Sequence, residues 1–229
     1  MPEVVVLTLA GLSAALQLGV LSVLVRGRLR EFPTLAVYLL GMFAATVVSN
    51  SLYIEGGAWN SGIAKYYWVL ETAVTILLTA LVLSFIQRAL ATRPTRGPML
   101  RLVVAGAFVV TLISVLYELW ADHSIYMLMA NVTRNLGFWV ALANMALWMK
   151  MASGGNFDRT VLMLSGGLGL QSAGHAIALS LTIIDRRLAV PAYYAIIVSH
   201  LLCLLIWLRA LQAAKRRSGG ELLKRSAAC

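Results

Sequence analysis

The chain has 229 residues, of which 60% are hydrophobic and only 12% charged, with a mean hydropathy of +0.83 and a formal net charge of +10. A water-soluble globule of this size needs a far larger polar fraction to coat its surface, so a soluble domain is excluded. The basic residues gather in connectors and tail rather than on one face, which argues against nucleic acid as a partner.

Seven apolar runs fill the chain, at about 2–25, 34–54, 65–87, 99–119, 124–149, 159–183 and 190–211. Each approaches or exceeds the roughly 20 residues a helix needs to cross hydrocarbon. Backbone groups in lipid must be satisfied within the segment, so each run is expected to be a helix. The expected fold is all-α, a seven-helix transmembrane domain over residues 1–212 followed by a basic tail over 213–229. The first run is too long for a signal-peptide core and is followed by Arg26, Arg28 and Arg30, which suits a retained anchor rather than a cleaved leader.

The connectors alternate in charge. Arg26, Arg28 and Arg30 follow span 1, and Arg88, Arg93, Arg96 and Arg101 surround the 3–4 connector. Lys150 and Arg159 flank the 5–6 connector, and Arg209, Lys215, Arg216, Arg217, Lys224 and Arg225 lie in or beside the tail. The opposite connectors carry Glu55, Lys65, Glu118, Asp122, Asp185, Arg186 and Arg187, whose charges nearly cancel. Basic connectors stay in the cytoplasm, so an outside N-terminus and an inside C-terminus are expected, in a bacterial inner membrane. The lipid bilayer is then the first partner, and Lys215–Arg217 can meet anionic lipid.

Pro33 opens span 2 and Pro191 opens span 7, positions where a missing N–H costs little. Residues 55–62 and 93–98, rich in glycine and proline, are loops by composition. Tyr53, Trp59, Tyr66, Tyr67, Trp68, Tyr117, Trp120, Tyr126, Tyr193 and Tyr194 all fall near the outer ends of spans, as an interfacial aromatic belt requires. Span 6 has small residues four apart at Ser165, Gly169 and Ala173, among Gly166, Gly167 and Gly174, and is expected to pack closely on a neighbour. Cys203 sits within span 7 and Cys229 ends the chain on the reducing side, so the two are not expected to be bridged. Spans 2–3 also align with spans 6–7: Asn50 meets His175, and Tyr66-Tyr67 meets Tyr193-Tyr194. That suggests two parallel triplets around span 4, a three-plus-one-plus-three repeat of the kind found in transporters.

Two stretches resemble an uncharacterised group of bacterial seven-span proteins: Arg30-Glu31-Phe32-Pro33 with Tyr38, and Tyr67-Trp68 with Glu71. The length and the basic connector after span 3 fit the same group. The resemblance implies topology and no activity. The topology is also similar to that of opsins and other seven-helix receptors, but span 7 has no lysine to carry a retinal Schiff base, and the proline-glutamine pair of PQ-loop transporters is missing.

Ionisable groups inside spans are functional candidates. Glu71, Arg134, His175 and His200 all fall roughly 9–15 Å below the expected outer surface at 1.5 Å per residue. Asn50, Asn131 and Asn135 reach the same layer. Glu71 and Arg134 are expected to pair, because an unpaired charge at this depth is costly. His175 and His200 lie at matched depth on adjacent spans and are expected to face inward. Their readings are interhelical hydrogen bonding, a small-molecule contact, or a metal or bis-histidine haem site to which Cys203 adds a soft donor. No phosphate-binding glycine loop, HExxH helix, nucleophile elbow or paired catalytic carboxylate occurs. A non-enzymatic binding protein is therefore expected, with no catalytic residue, no resident metal and no required cofactor. Glu71, Arg134, His175, His200, Asn50 and Asn131 would contact a small ligand, a membrane partner or a second copy. The alternatives are a small-solute transporter, with Gln17, Thr75, Thr79, Asn144 and Gln171 as stepping stones, and a haem-binding redox protein.

Overall fold

The computed structural model describes residues 3–56, 61–91, 95–120, 125–153, 158–184 and 186–226. Among them are seven α-helices: α1 Glu3–Val25, α2 Pro33–Gly56, α3 Ser61–Ala89, α4 Arg96–Trp120, α5 Ile125–Ser153, α6 Arg159–Ile184 and α7 Ala189–Ser226. A single 3-10 turn, Arg186–Leu188, precedes α7. The all-α expectation holds, and each apolar run becomes one helix. The tail differs: α7 does not stop near residue 212 but continues to Ser226. Trp59, Asp122, Asp185 and Cys229 lie outside the described residues, as do the side chains of Asn50, Tyr53, Tyr67, Tyr126 and the basic tail.

Local signals set the helix ends. Pro33 takes the first position of α2, where the Ala36 amide already donates to the Phe32 carbonyl at 3.3 Å. Asp158 caps α6: its Oδ1 accepts from the Thr160 amide at 2.8 Å, and its carbonyl accepts from Leu162. Inside the helices, several hydroxyls are satisfied by their own helix. Thr46, Thr72, Thr75, Thr79 and Ser114 each donate to the carbonyl four residues earlier, at 2.7–2.9 Å. That bond lets a hydroxyl sit in an apolar medium without a water.

Four helices are long and apolar enough to cross a membrane, over Thr8–Val25, Trp68–Ala89, Arg96–Trp120 and Val190–Ala213. Their outer faces agree. On α4, Leu102, Phe108, Ile113, Leu116 and Leu119 are exposed, Phe108 by 67% and the terminal Trp120 by 87%. A water-facing patch of this extent is an aggregation hazard, whereas lipid accepts it. The chain is a membrane protein on this ground.

The helices divide into two compact units, one formed by residues 1–36 and 156–229, the other by 37–155. The first contains α1, α6 and α7. Here α6 runs antiparallel to α7: the Trp207 indole donates to the Leu164 carbonyl at 2.8 Å, and Gly174 meets the Ser199 side chain nearly three turns further along α6. Leu164 and Leu168 on α6, and Leu204, Trp207 and Leu211 on α7, are buried at the spacing of one helix face. The close approach anticipated for α6 is made at Gly167, against Trp207, and at Gly174.

The second unit contains α3, α4, α5 and most of α2. Leu81, Val82, Phe85 and Ile86 of α3, and Leu136, Val140, Ala143 and Leu147 of α5, form buried stripes. α3 packs on both α4 and α5, and Gly41 of α2 faces Leu77 of α3. α4 and α5 run antiparallel.

Candidate functional site

The α4–α5 seam is a ladder of polar contacts. Asn131, Asn135 and Trp139 recur every four residues on α5 and so share a face. Asn131 donates to the Glu118 carboxylate, Asn135 Nδ2 to Ser114 Oγ at 2.9 Å, and Trp139 Nε1 to the Val103 carbonyl at 2.9 Å. Gly106 makes room for the Trp139 ring, which lies where a Cβ would be. Glu118 is only 3% exposed. Sequence reasoning missed it, assigning it to an outer connector because it stands two residues before Trp120. The signal was available: Ser114 and Glu118 are four apart on α4, as Asn131 and Asn135 are on α5, and two such pairs on consecutive antiparallel helices are complementary.

Arg134 and Glu71 stand beside this ladder. Arg134 is half-buried on α5, and its Nε donates to Asn135 Oδ1 at 3.4 Å. Asn135 is held in turn by Ser114, which donates to the Val110 carbonyl. The guanidinium is thus met at one edge, while its terminal nitrogens make no hydrogen bond among the described residues. Glu71 is half-buried on α3, one residue before Thr72, whose Oγ1 lies 3.0 Å from Thr133 Oγ1. Glu71 and Arg134 therefore flank one interhelical contact, each next in sequence to a residue that makes it. Among the described residues no ion pair joins them, and the Glu71 carboxylate has no hydrogen-bond partner. The expected direct pair is not formed, because the Arg134 guanidinium turns along its own helix to Asn135.

In the other unit, His200 of α7 meets α1. Its Nε2 lies 3.1 Å from Ser13 Oγ and 3.2 Å from Gln17 Nε2, and Gln17 also donates to Ser13 at 3.4 Å. With the amide nitrogen donating, His200 Nε2 accepts and Nδ1 carries the proton. His200 Nδ1 and Gln17 Oε1 are both buried without a partner, and Gln17 is 2% exposed. Ser13 and Gln17, one turn apart, were not read from the sequence as partners of His200. His175 is half-buried on α6 and makes no hydrogen bond among the described residues. No hydrogen bond joins His175 to His200 among the described residues: His200 engages α1, and no cluster of three metal-binding side chains occurs among the described residues. Cys203 is buried and unbridged. The Asn50 side chain lies outside the described residues.

Of the six residues expected to contact a ligand, those with described partners fall in distinct settings. Asn131, Arg134 and Glu71 stand along the α3–α4–α5 unit, and His200 sits in the α1–α7 seam. Compared with known proteins, the chain matches no family model, no curated protein and no solved structure.

Proposed function

We propose that the chain is a multi-pass protein of a bacterial inner membrane that binds a small ligand or a partner subunit, without catalysis of its own. In this reading all seven helices cross the bilayer, with the N-terminus outside and the C-terminus inside. The observation that carries it is Glu71 and Arg134: opposite charges at one interhelical contact, half-buried and not spent on each other. Charges at membrane depth are retained at a cost of several kcal/mol, which favours a role in binding. The ladder behind Arg134 fixes the guanidinium, as a binding site needs. Sensing or accessory service in a larger complex suits a chain whose described residues form helices alone. Transport is less well supported, since Thr75 and Thr79, two steps of any conducting path, donate to their own helix. A three-plus-one-plus-three repeat draws no support from the packing, which groups α4 with α3 and α5.

Native mass spectrometry of the protein released from nanodiscs tests the reading. A small molecule or a protein subunit retained by the wild type and lost from Arg134→Met is expected. Retention of nothing by the wild type would refute it. The absorption spectrum of the same preparation tests the redox alternative, which requires a haem Soret band; none is expected.

A further inference from the structure

We propose that the flank of the α3–α5 seam bearing Glu71 and Arg134 binds a zwitterion, an anionic group at Arg134 and an ammonium at Glu71. The inference rests on the binding role just assigned to this pair and names the class of ligand.

The geometry runs through Thr72 and Thr133. α4 is antiparallel to α5, and α4 begins at Arg96, soon after α3 ends at Ala89, and packs on it, as consecutive closely joined helices do when antiparallel. α3 and α5 therefore point the same way. On two right-handed helices with parallel axes, successive residues turn about 100° in the same sense. The residue before the contact on one helix and the residue after it on the other then face the same flank. Glu71 precedes Thr72, and Arg134 follows Thr133. Their backbones are about 8–10 Å apart across the seam, as packed helices are. They are offset along it by about two residues, or ~3 Å. Side chains rooted on one flank at that spacing can grip the two ends of one small molecule.

The state of each group fits such a guest. Arg134 spends Nε on Asn135, leaving its outer nitrogens to meet a carboxylate or phosphate in two parallel bonds. Among the described residues Glu71 has no protein donor, so an ammonium is its natural complement. A simple anion would satisfy Arg134 and leave Glu71 uncompensated, and a simple cation would do the reverse. A zwitterion neutralises both and brings no net charge into the membrane. Two sources share this chemistry, a free amino acid and the headgroup of a lipid such as phosphatidylethanolamine.

The test uses the full chain in nanodiscs of phosphatidylglycerol, with the thermal unfolding midpoint as readout. L-Alanine, acetate and methylammonium are titrated separately. L-Alanine should raise the midpoint saturably, as any ligand selective for the folded state does, with acetate and methylammonium about tenfold or more weaker. If the source is lipid, exchanging part of the phosphatidylglycerol for phosphatidylethanolamine should give the rise instead and abolish the L-alanine response. Glu71→Gln and Arg134→Gln should each remove the response, while Trp207→Phe, in the other unit, should keep it. Should the glutamine variants not fold, Glu71→Asp and Arg134→Lys keep both charges and should weaken the response about threefold or more by altering reach and fork geometry. Acetate acting as strongly as L-alanine, with Glu71→Gln indifferent, would overturn the zwitterion and leave a simple anion site. No response to L-alanine or to phosphatidylethanolamine would overturn it as well; a species still retained in native mass spectrometry would then show that the broader binding role stands without it.

Discussion

Glu118 is a carboxylate that lipid cannot solvate, and Asn131 is a neighbour that donates to it. Removing one side of such a contact leaves the other unpaired in an apolar seam, which costs about 1–3 kcal/mol by general experience, or as little as about 0.6 kcal/mol between membrane helices. Glu118→Ala should therefore lower the unfolding midpoint in detergent. Glu118→Gln, which keeps an acceptor for Asn131, should come close to the wild type; equal loss from both variants would show that charge rather than hydrogen bonding matters. The same logic separates His200 from Gln17. Gln17→Leu strips the imidazole of a partner and should destabilise, and His200→Leu should leave Gln17 only its long bond to Ser13. The double replacement removes both polar groups, along with the two buried atoms that lack partners, and should recover much of the loss. Additive losses in that cycle would mean that the two side chains do not act on each other.

The helices were legible in the sequence because a helix that crosses lipid must supply its own hydrogen bonds, so a long apolar run is read as a helix. Their pairing was not, because apolar side chains pack on lipid tails as readily as on one another, and a few polar or small residues choose the partner. Asn131 and Asn135 were visible as polar residues at one depth; that they turn to Ser114 and Glu118 follows from a face that only the packed helices define. Arg134 was expected to seek the nearest opposite charge, yet the neighbouring Asn135 Oδ1 offers an acceptor at no entropic cost of bridging helices. Gly106 and Trp139 show how little sequence such a choice needs. The indole reaches the Val103 carbonyl only because Gly106 has no Cβ in its way. Gly106→Ala should force the ring aside and destabilise by about 1–3 kcal/mol, as overpacking does. Trp139→Phe alone loses the hydrogen bond but frees space, so adding Gly106→Ala to it should cost clearly less than in the wild type. Chemical or thermal unfolding of the four variants measures this coupling, and strict additivity would sink the account.

Across the whole molecule, charge decides orientation. Translocation of short connectors is opposed by lysine and arginine, and acidic residues count for little. Arg26, Arg28 and Arg30, then Arg88, Arg93, Arg96 and Arg101, then Lys150 and Arg159 fall in every second connector, and only Lys65, Arg186 and Arg187 fall in the others. The burial of Glu118 within α4 does not disturb this count, because it was never a basic residue and its connector loses only an acidic one. α7 adds a consistent feature. Its 38 residues span about 57 Å at 1.5 Å each, well beyond the ~30 Å of a hydrocarbon core, so the helix must leave the membrane at one end. The stretch Val190–Ala213 is long and apolar enough to cross a membrane, and on the topology proposed above the segment with Lys215, Arg216 and Arg217 then lies outside the hydrocarbon. A fluorescent protein that matures only in the cytoplasm, fused at Ser218, should therefore glow, and alkaline phosphatase at the same site should stay inactive. Sandwich insertions in the full chain extend the test to α5 and α6, whose crossing rests on length and alternation. Phosphatase inserted after Trp120 should be active and after Ser153 silent. Activity at both positions would mean that α5 does not cross. The reverse pattern at Ser218 would invert the orientation and move Glu71 and Arg134 to the cytoplasmic half of the membrane, where a ligand would have to arrive from inside the cell.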